Sequence, residues 1–280
     1  MRNGPRKSML CPNCRRIISA DETRCPHCGM AAPGSRWKNN PLTGGWVEDD
    51  RLIRIIIFIN IGMFLFSLVI SRGSLVSGFN PLRMLTPSLT SMTLLGATGT
   101  WKIREVGLWT LVSANYLHAG LLHIFFNMAA FYQIAPLITR LFGAYRFFVI
   151  FTLSGVGGFL ISCLMGITVT LGASAAICGL IGAAIYYGRS RGGLFGDSIY
   201  RQIGGWAIVI ILFGFFMPQI NNAAHIGGMI CGGLTAMLLG YTEKSRENTA
   251  HRTLAALCML TTLLILLLAL YRGLRYGLLA

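Results

Sequence analysis

Seven long apolar runs, at about 52–71, 117–138, 145–166, 172–188, 201–218, 222–241 and 253–271, constrain this chain more than any other feature. About twenty apolar residues in a helix cross the hydrocarbon core of a bilayer. The fourth and fifth runs fall slightly short, as helices shielded inside a bundle do. Only 12% of the residues are charged, against roughly a quarter in a soluble domain. All nine carboxylates lie outside the runs, because an ionised group at mid-bilayer is costly. The expectation is an all-α polytopic membrane protein.

The formal net charge of +15 raises nucleic acid as a partner. The placement of the charge argues against it. Arg140 and Arg146 fall at the junction of the second and third runs, Arg189, Arg191 and Arg201 at that of the fourth and fifth, and Lys244, Arg246 and Arg252 at that of the sixth and seventh. The alternate short connections, about 167–171 and 217–221, carry no Lys or Arg. Basic loops stay on the cytoplasmic side, so the N-terminus is expected inside and the C-terminus outside, weakly opposed by Arg272 and Arg275. The first fifty or so residues contain no apolar core of a signal peptide. Residues 72–116 make a long outer connection rich in Leu, Met and Trp. Loops of this length are usually functional, and Trp favours the interface.

Ahead of the first run, Cys-Pro-Asn-Cys and Cys-Pro-His-Cys-Gly place Cys11, Cys14, Cys25 and Cys28 in two matched knuckles. That pattern suits a tetrahedral zinc with four thiolate ligands, and in so small a segment the metal supplies most of the folding free energy. A reducing cytoplasm disfavours the alternative of disulfides. With no open coordination position the zinc is structural, and His27 is a bystander. The module is expected to meet a cytoplasmic protein partner or nucleic acid. Cys163, Cys178, Cys231 and Cys258 sit singly in apolar runs and read as packing residues.

Uncharged polar residues gather at one level of the expected bundle. The second run carries His118, His123 and Asn127, the fourth Ser174, and the sixth His225. His123 and Asn127 share a helical face. Ala175, Gly179 and Ala183 repeat at four-residue spacing, as do Ala224, Gly228, Gly232 and Ala236. Such stripes permit close helix–helix approach. Packed together, they bring the Ser174 hydroxyl within reach of the His225 imidazole, and a serine becomes a useful nucleophile beside such a base. No carboxylate is at hand to orient the imidazole, so the pair is a dyad. His123, Asn127 and the Ser174 backbone N–H are candidate donors to an oxyanion.

His118-Ala-Gly-Leu-Leu-His123-Ile-Phe-Phe-Asn127, Gly172-Ala-Ser174 with Gly179-Leu-Ile-Gly182, and Ala224-His225-Ile-Gly227-Gly228 resemble, in order, the three signatures of rhomboid intramembrane serine proteases. The resemblance covers about residues 50–245. It implies a six-helix rhomboid core with a seventh, C-terminal transmembrane helix, and cleavage of single-span membrane proteins near their outer ends. It implies Ser174 as nucleophile, His225 as base, His123 and Asn127 as oxyanion donors, and His118 at the water-filled mouth of the site. It also implies that the fifth helix, with Trp206, Phe213, Phe215 and Phe216, tilts to admit substrate. The expected organisation is a zinc-ribbon-like module over 1–35, a linker over 36–51, the rhomboid-like core over 52–245 and the additional helix over 246–280, in a bacterial plasma membrane. Three positions depart from the pattern: Ala175 for the usual Gly, Cys178 for an aromatic residue, and Trp109-Thr110 for a Trp-Arg pair that would brace the outer loop. The alternative function is a catalytically inactive relative that binds transmembrane helices. A transporter is disfavoured, since no broken-helix repeat is evident.

Overall fold

The computed structural model describes residues 8–11, 16–20, 22–29, 33, 49–71, 85–217 and 219–278. The chain divides into two compact units, Met1–Glu48 and Asp49–Ala280. In the first, strands β1 (Ser8–Leu10) and β2 (Ile17–Ser19) pair antiparallel with Met9 opposite Ile18. Ile18 packs with Cys11 and Cys25 in a small buried cluster.

The second unit is helical. Its elements are α1 (Asp49–Val69), α2 (Leu89–Leu94), α3 (Thr100–Glu105), α4 (Thr110–Ser113), a 3₁₀ turn (Ala114–Tyr116), α5 (Leu121–Phe142), α6 (Ala144–Leu164), α7 (Ser174–Arg191), α8 (Gly193–Phe216), α9 (Asn222–Leu239) and α10 (Thr249–Gly273), whose end runs into a π-helical turn (Leu274–Leu278). The described part of the long connection between α1 and α5 is therefore a chain of short helices, not an open loop.

Among the described residues six helices are long and apolar enough to cross a membrane: α1, α5, α6, α8, α9 and α10. The fourth expected span is present as α7, whose Ala- and Gly-rich sequence ends in Arg189-Ser190-Arg191. Residues 175–184 of α7 are all buried, with α5, α6, α8 and α9 packed around it. Protein rather than lipid covers it, so it needs small side chains more than apolar ones.

Glycines set how closely these helices approach. A Cβ added to Gly232 would collide with the Gly179 carbonyl, and one added to Gly228 with that of Ala175. Gly182 lies against the Met229 carbonyl in the same way, and Gly158 on α6 lies against Ala224 and Gly228. The two small-residue stripes therefore meet, and α6 closes on both. Ser154 of α6, buried opposite Gly179, hands its hydroxyl proton back to its own helix at the Ile150 carbonyl.

The helix ends differ from expectation by about a turn. Arg140 and Arg146 lie inside α5 and α6, which are separated by Gly143 alone, and Arg201 lies inside α8, which is 24 residues long rather than short. Arg146 is wholly buried. Its guanidinium donates to the carbonyls of Phe142, Ser245 and Arg246 and to Ser245 Oγ, while its backbone N–H donates to Glu247 Oε1 at 2.9 Å. The cation thus ties the start of α6 to the α9–α10 connection. It is a structural clasp within α6 and not a loop charge.

Gly232→Ala is expected to cost about 1–3 kcal/mol, the usual penalty of overpacking a close contact. Gly204→Ala, with no atom within 4 Å of the added Cβ, is expected to cost nothing. Reversible unfolding in mixed micelles checks the pair.

Candidate active site

Ser174 is the first residue of α7. Three local features put it there. Gly172 adopts φ +122°, a conformation open to glycine. Its N–H donates to the Ala114 carbonyl at 2.8 Å, anchoring the peptide two residues before the serine. Residue Thr170 exchanges backbone hydrogen bonds with Thr98 at 3.0 and 2.7 Å, forming a short antiparallel bridge. The N-cap, Ala173, offers no side chain to the first amides of α7. The N-terminus of the helix is left as an uncapped set of N–H donors.

His123 stands in the first turn of α5, with Asn127 one turn later. Its Nδ1 accepts the Ala119 N–H at 3.2 Å, which puts the ring proton on Nε2. A Cβ at Gly172 would lie 2.7 Å from that Nε2 and 3.8 Å from Ser174 Oγ. The missing side chain of Gly172 therefore lets the His123 imidazole close on the backbone two residues before Ser174, so that the hydroxyl and an imidazole N–H converge beside this glycine. Asn127 Nδ2 donates to the His123 carbonyl at 2.8 Å, and its buried Oδ1 has no partner.

His225 lies in the first turn of α9 and is 8% exposed, with Nδ1 unpartnered. The Gly228–Ala175 contact brings α9 against α7 three residues after His225 and one residue after Ser174. Among the described residues no hydrogen bond joins Ser174 to His225. His118 precedes α5 instead of lying in the helix; it is buried, edge-on to His123 with ring centroids 5.1 Å apart, and neither ring nitrogen has a partner. Ala175 is buried between Leu111, Ala114, Phe159, Cys163 and Ala224, so its methyl group is absorbed into packing rather than crowding the turn.

Asn221 is the residue that sequence reading missed. Its Oδ1 accepts the Ala224 N–H at 3.0 Å and caps α9, and its Nδ2 donates to Ser162 Oγ at 2.6 Å and Thr170 Oγ1 at 2.9 Å. One amide joins the start of the His225 helix to α6 and to the segment leading to Ser174. The available signal was an Asn three residues ahead of an amide at the start of an apolar run.

In the other unit, the Sγ atoms of Cys11, Cys25 and Cys28 lie within 4.8 Å of one another, with Cys11 and Cys28 at 3.7 Å. Cys14 lies outside the described residues. His27 is exposed and contacts Arg16, away from the sulfurs.

A bundle of membrane-length helices with serine, histidine and asparagine gathered at one end defines an integral membrane protein with a polar site set among its helices. Residues 105–242 match the Rhomboid domain family. The chain is 31% identical over 167 residues to YdcA of Bacillus subtilis, provisionally named a rhomboid protease, covering 57% of this chain and 77% of that protein. It is 35% identical over 148 residues to the rhomboid protease GluP of the same bacterium, covering 51% of this chain but 27% of GluP. RHOMBOID-like protein 5 of Arabidopsis thaliana is 28% identical over 218 residues, 70% of each chain. The chain belongs to the rhomboid family.

Asn221→Ala is expected to lose about 1–3 kcal/mol, since it removes a cap and two buried hydrogen bonds. Asn221→Asp keeps the cap but not the donors, and should fall between the two. Thermal unfolding of the three proteins checks the order.

Proposed function

We propose that this chain is an intramembrane serine endopeptidase that cleaves single-span membrane proteins with a Ser174–His225 dyad. The observation that carries this reading is the convergence of Ser174 Oγ and the His123 Nε2–H beside Gly172. A scissile carbonyl seated there meets the hydroxyl on carbon and an N–H on oxygen. His225 takes the hydroxyl proton as Ser174 attacks, then returns it to the leaving amine. His123, Asn127 and the uncapped N–H groups of α7 stabilise the oxyanion. His118, with two unpartnered nitrogens in a buried place, holds water at the mouth of the site.

A groove of about 220 Å³ supports lateral entry. Phe126, Ala129 and Gln133 of α5 line one side and Trp206 and Ile210 of α8 the other, with Ile177 and Ile181 of α7 behind. A substrate helix enters between α5 and α8 and meets the serine from the side. The buried Arg146, the basic C-terminal end of α7 with Arg189 and Arg191, and the start of α10 with Arg252 lie at the end of the bundle away from Ser174, which supports a cytoplasmic N-terminus, an outer C-terminus and cleavage near the outer surface.

The cysteine cluster is read as a structural zinc site. Four thiolates about 2.3 Å from zinc stand at the corners of a tetrahedron of edge about 3.8 Å, which the 3.7 Å Cys11–Cys28 separation matches. Cys14 is proposed as the fourth ligand. The divisions 1–35, 36–51, 52–245 and 246–280 are proposed as ribbon, linker, peptidase core and added helix, with the ribbon meeting a cytoplasmic partner.

A fluorophosphonate should label the purified protein at Ser174. Labelling should vanish in Ser174→Ala and slow by about 10²–10⁴-fold in His225→Ala, the usual worth of a general base. Equal labelling of wild type and His225→Ala would remove the base. Metal analysis should find about one zinc per chain, lost in Cys25→Ser with labelling of Ser174 unchanged.

A further inference from the structure

The added helix α10 has no task in the peptidase reading, yet its C-terminal turn reaches the end of the bundle where Ser174 sits. Gly273 there closes on Phe66 and Leu95, whose atoms would lie 2.7 and 3.0 Å from an added Cβ. Beside it the Arg272 guanidinium lies over the indole of Trp109, 5.5 Å from the ring centroid. Arg272 Nε is buried and has no hydrogen-bond partner among the described residues. The π face of Trp109 is therefore the attraction that holds this cation in place.

Trp109 is itself fixed. Its Nε1 donates to the Val106 carbonyl at 2.9 Å, and its ring fills the space beside Gly96 and Gly107. Two routes lead from it toward the serine. Along one, α4 begins at the next residue and runs into Ala114, whose carbonyl accepts the Gly172 N–H at 2.8 Å. Along the other, Thr110 Oγ1 shares a hydrogen bond with Thr98 Oγ1 at 3.0 Å, and Thr98 pairs with Thr170. Both end within four residues of Ser174.

We propose that Arg272 is a positioning residue: by clamping Trp109 it fixes the segment 170–172 and so the turn that presents Ser174. The clamp stands on geometry alone, whereas its catalytic consequence rests on the peptidase reading.

The test uses the full chain in lipid nanodiscs, labelled with 5-fluorotryptophan, with the Trp109 resonance assigned through Trp109→Phe. Arg272→Gln is expected to move that resonance, leave that of Trp206 in place, and speed amide exchange over 170–172 by about fivefold, in line with the worth of a cation on an indole. Arg272→Lys keeps a cation and should restore both. Arg275→Gln, which alters the exposed neighbour stacked on Tyr276, should change neither. Fluorophosphonate labelling of Ser174 should slow with Arg272→Gln and recover with Arg272→Lys. An unmoved Trp109 resonance, unchanged exchange over 170–172, or undiminished labelling in Arg272→Gln would overturn the proposal. If wild type itself resists the probe, the peptidase reading fails, and the exchange result still decides the clamp.

Discussion

The α7 and α9 backbones touch. Gly232 sits on the Gly179 carbonyl and Gly228 on that of Ala175, with no side chain between them. Lipid is as apolar as leucine, so burial alone does not drive helices together in a bilayer; close packing and polar contacts do. The site follows from this contact. Ser174 starts one of the two helices and His225 lies in the first turn of the other, so an approach at backbone distance sets where both residues lie. A larger residue at any of these glycines would push the helices apart.

Polar clasps hold the two ends of the bundle. At the Ser174 end, Asn221, Ser162, Thr170 and Thr98 join α6, α9 and the outer connection by side-chain and backbone hydrogen bonds. At the other end Arg146 and Glu247 join α6 to the α9–α10 connection. Each group is satisfied locally, as a low-dielectric setting demands. Some buried polar atoms have no partner. Asn127 Oδ1, His225 Nδ1 and both nitrogens of His118 are buried without partners, and all belong to the polar cluster around Ser174. Buried atoms elsewhere in the bundle, among them Asn60 Oδ1, Thr152 Oγ1 and Thr262 Oγ1, are likewise without partners.

Much of this was legible in the sequence because its signals are long or strictly spaced. Apolar runs mark spans, four-residue stripes of Gly and Ala mark close approach, and the spacing of Cys11, Cys25 and Cys28 marks their gathering. What was illegible depends on helix ends. Hydropathy blurs an end by about a turn, so Arg140, Arg146 and Arg201 looked like loop charges although each lies in a helix. His118 looked helical although it precedes α5. The outer connection showed only Trp and Leu, while its short helices are set by contacts with distant residues such as Thr170. Thr110 looked like a lost bracing charge; a cation does face Trp109, but it comes from Arg272, 163 positions later in the chain by the numbering of the two residues. No local pattern announces such a pairing.

The central claim is that Ser174 cuts peptide bonds within the membrane. Its most direct test is a single-span reporter in proteoliposomes with wild type, Ser174→Ala and His225→Ala. Wild type should give a defined cleavage product and Ser174→Ala none, the reporter remaining intact. Equal cleavage by wild type and Ser174→Ala would contradict it, as would co-purification of an uncut reporter with wild type, which would mark a protein that holds transmembrane helices instead of cutting them.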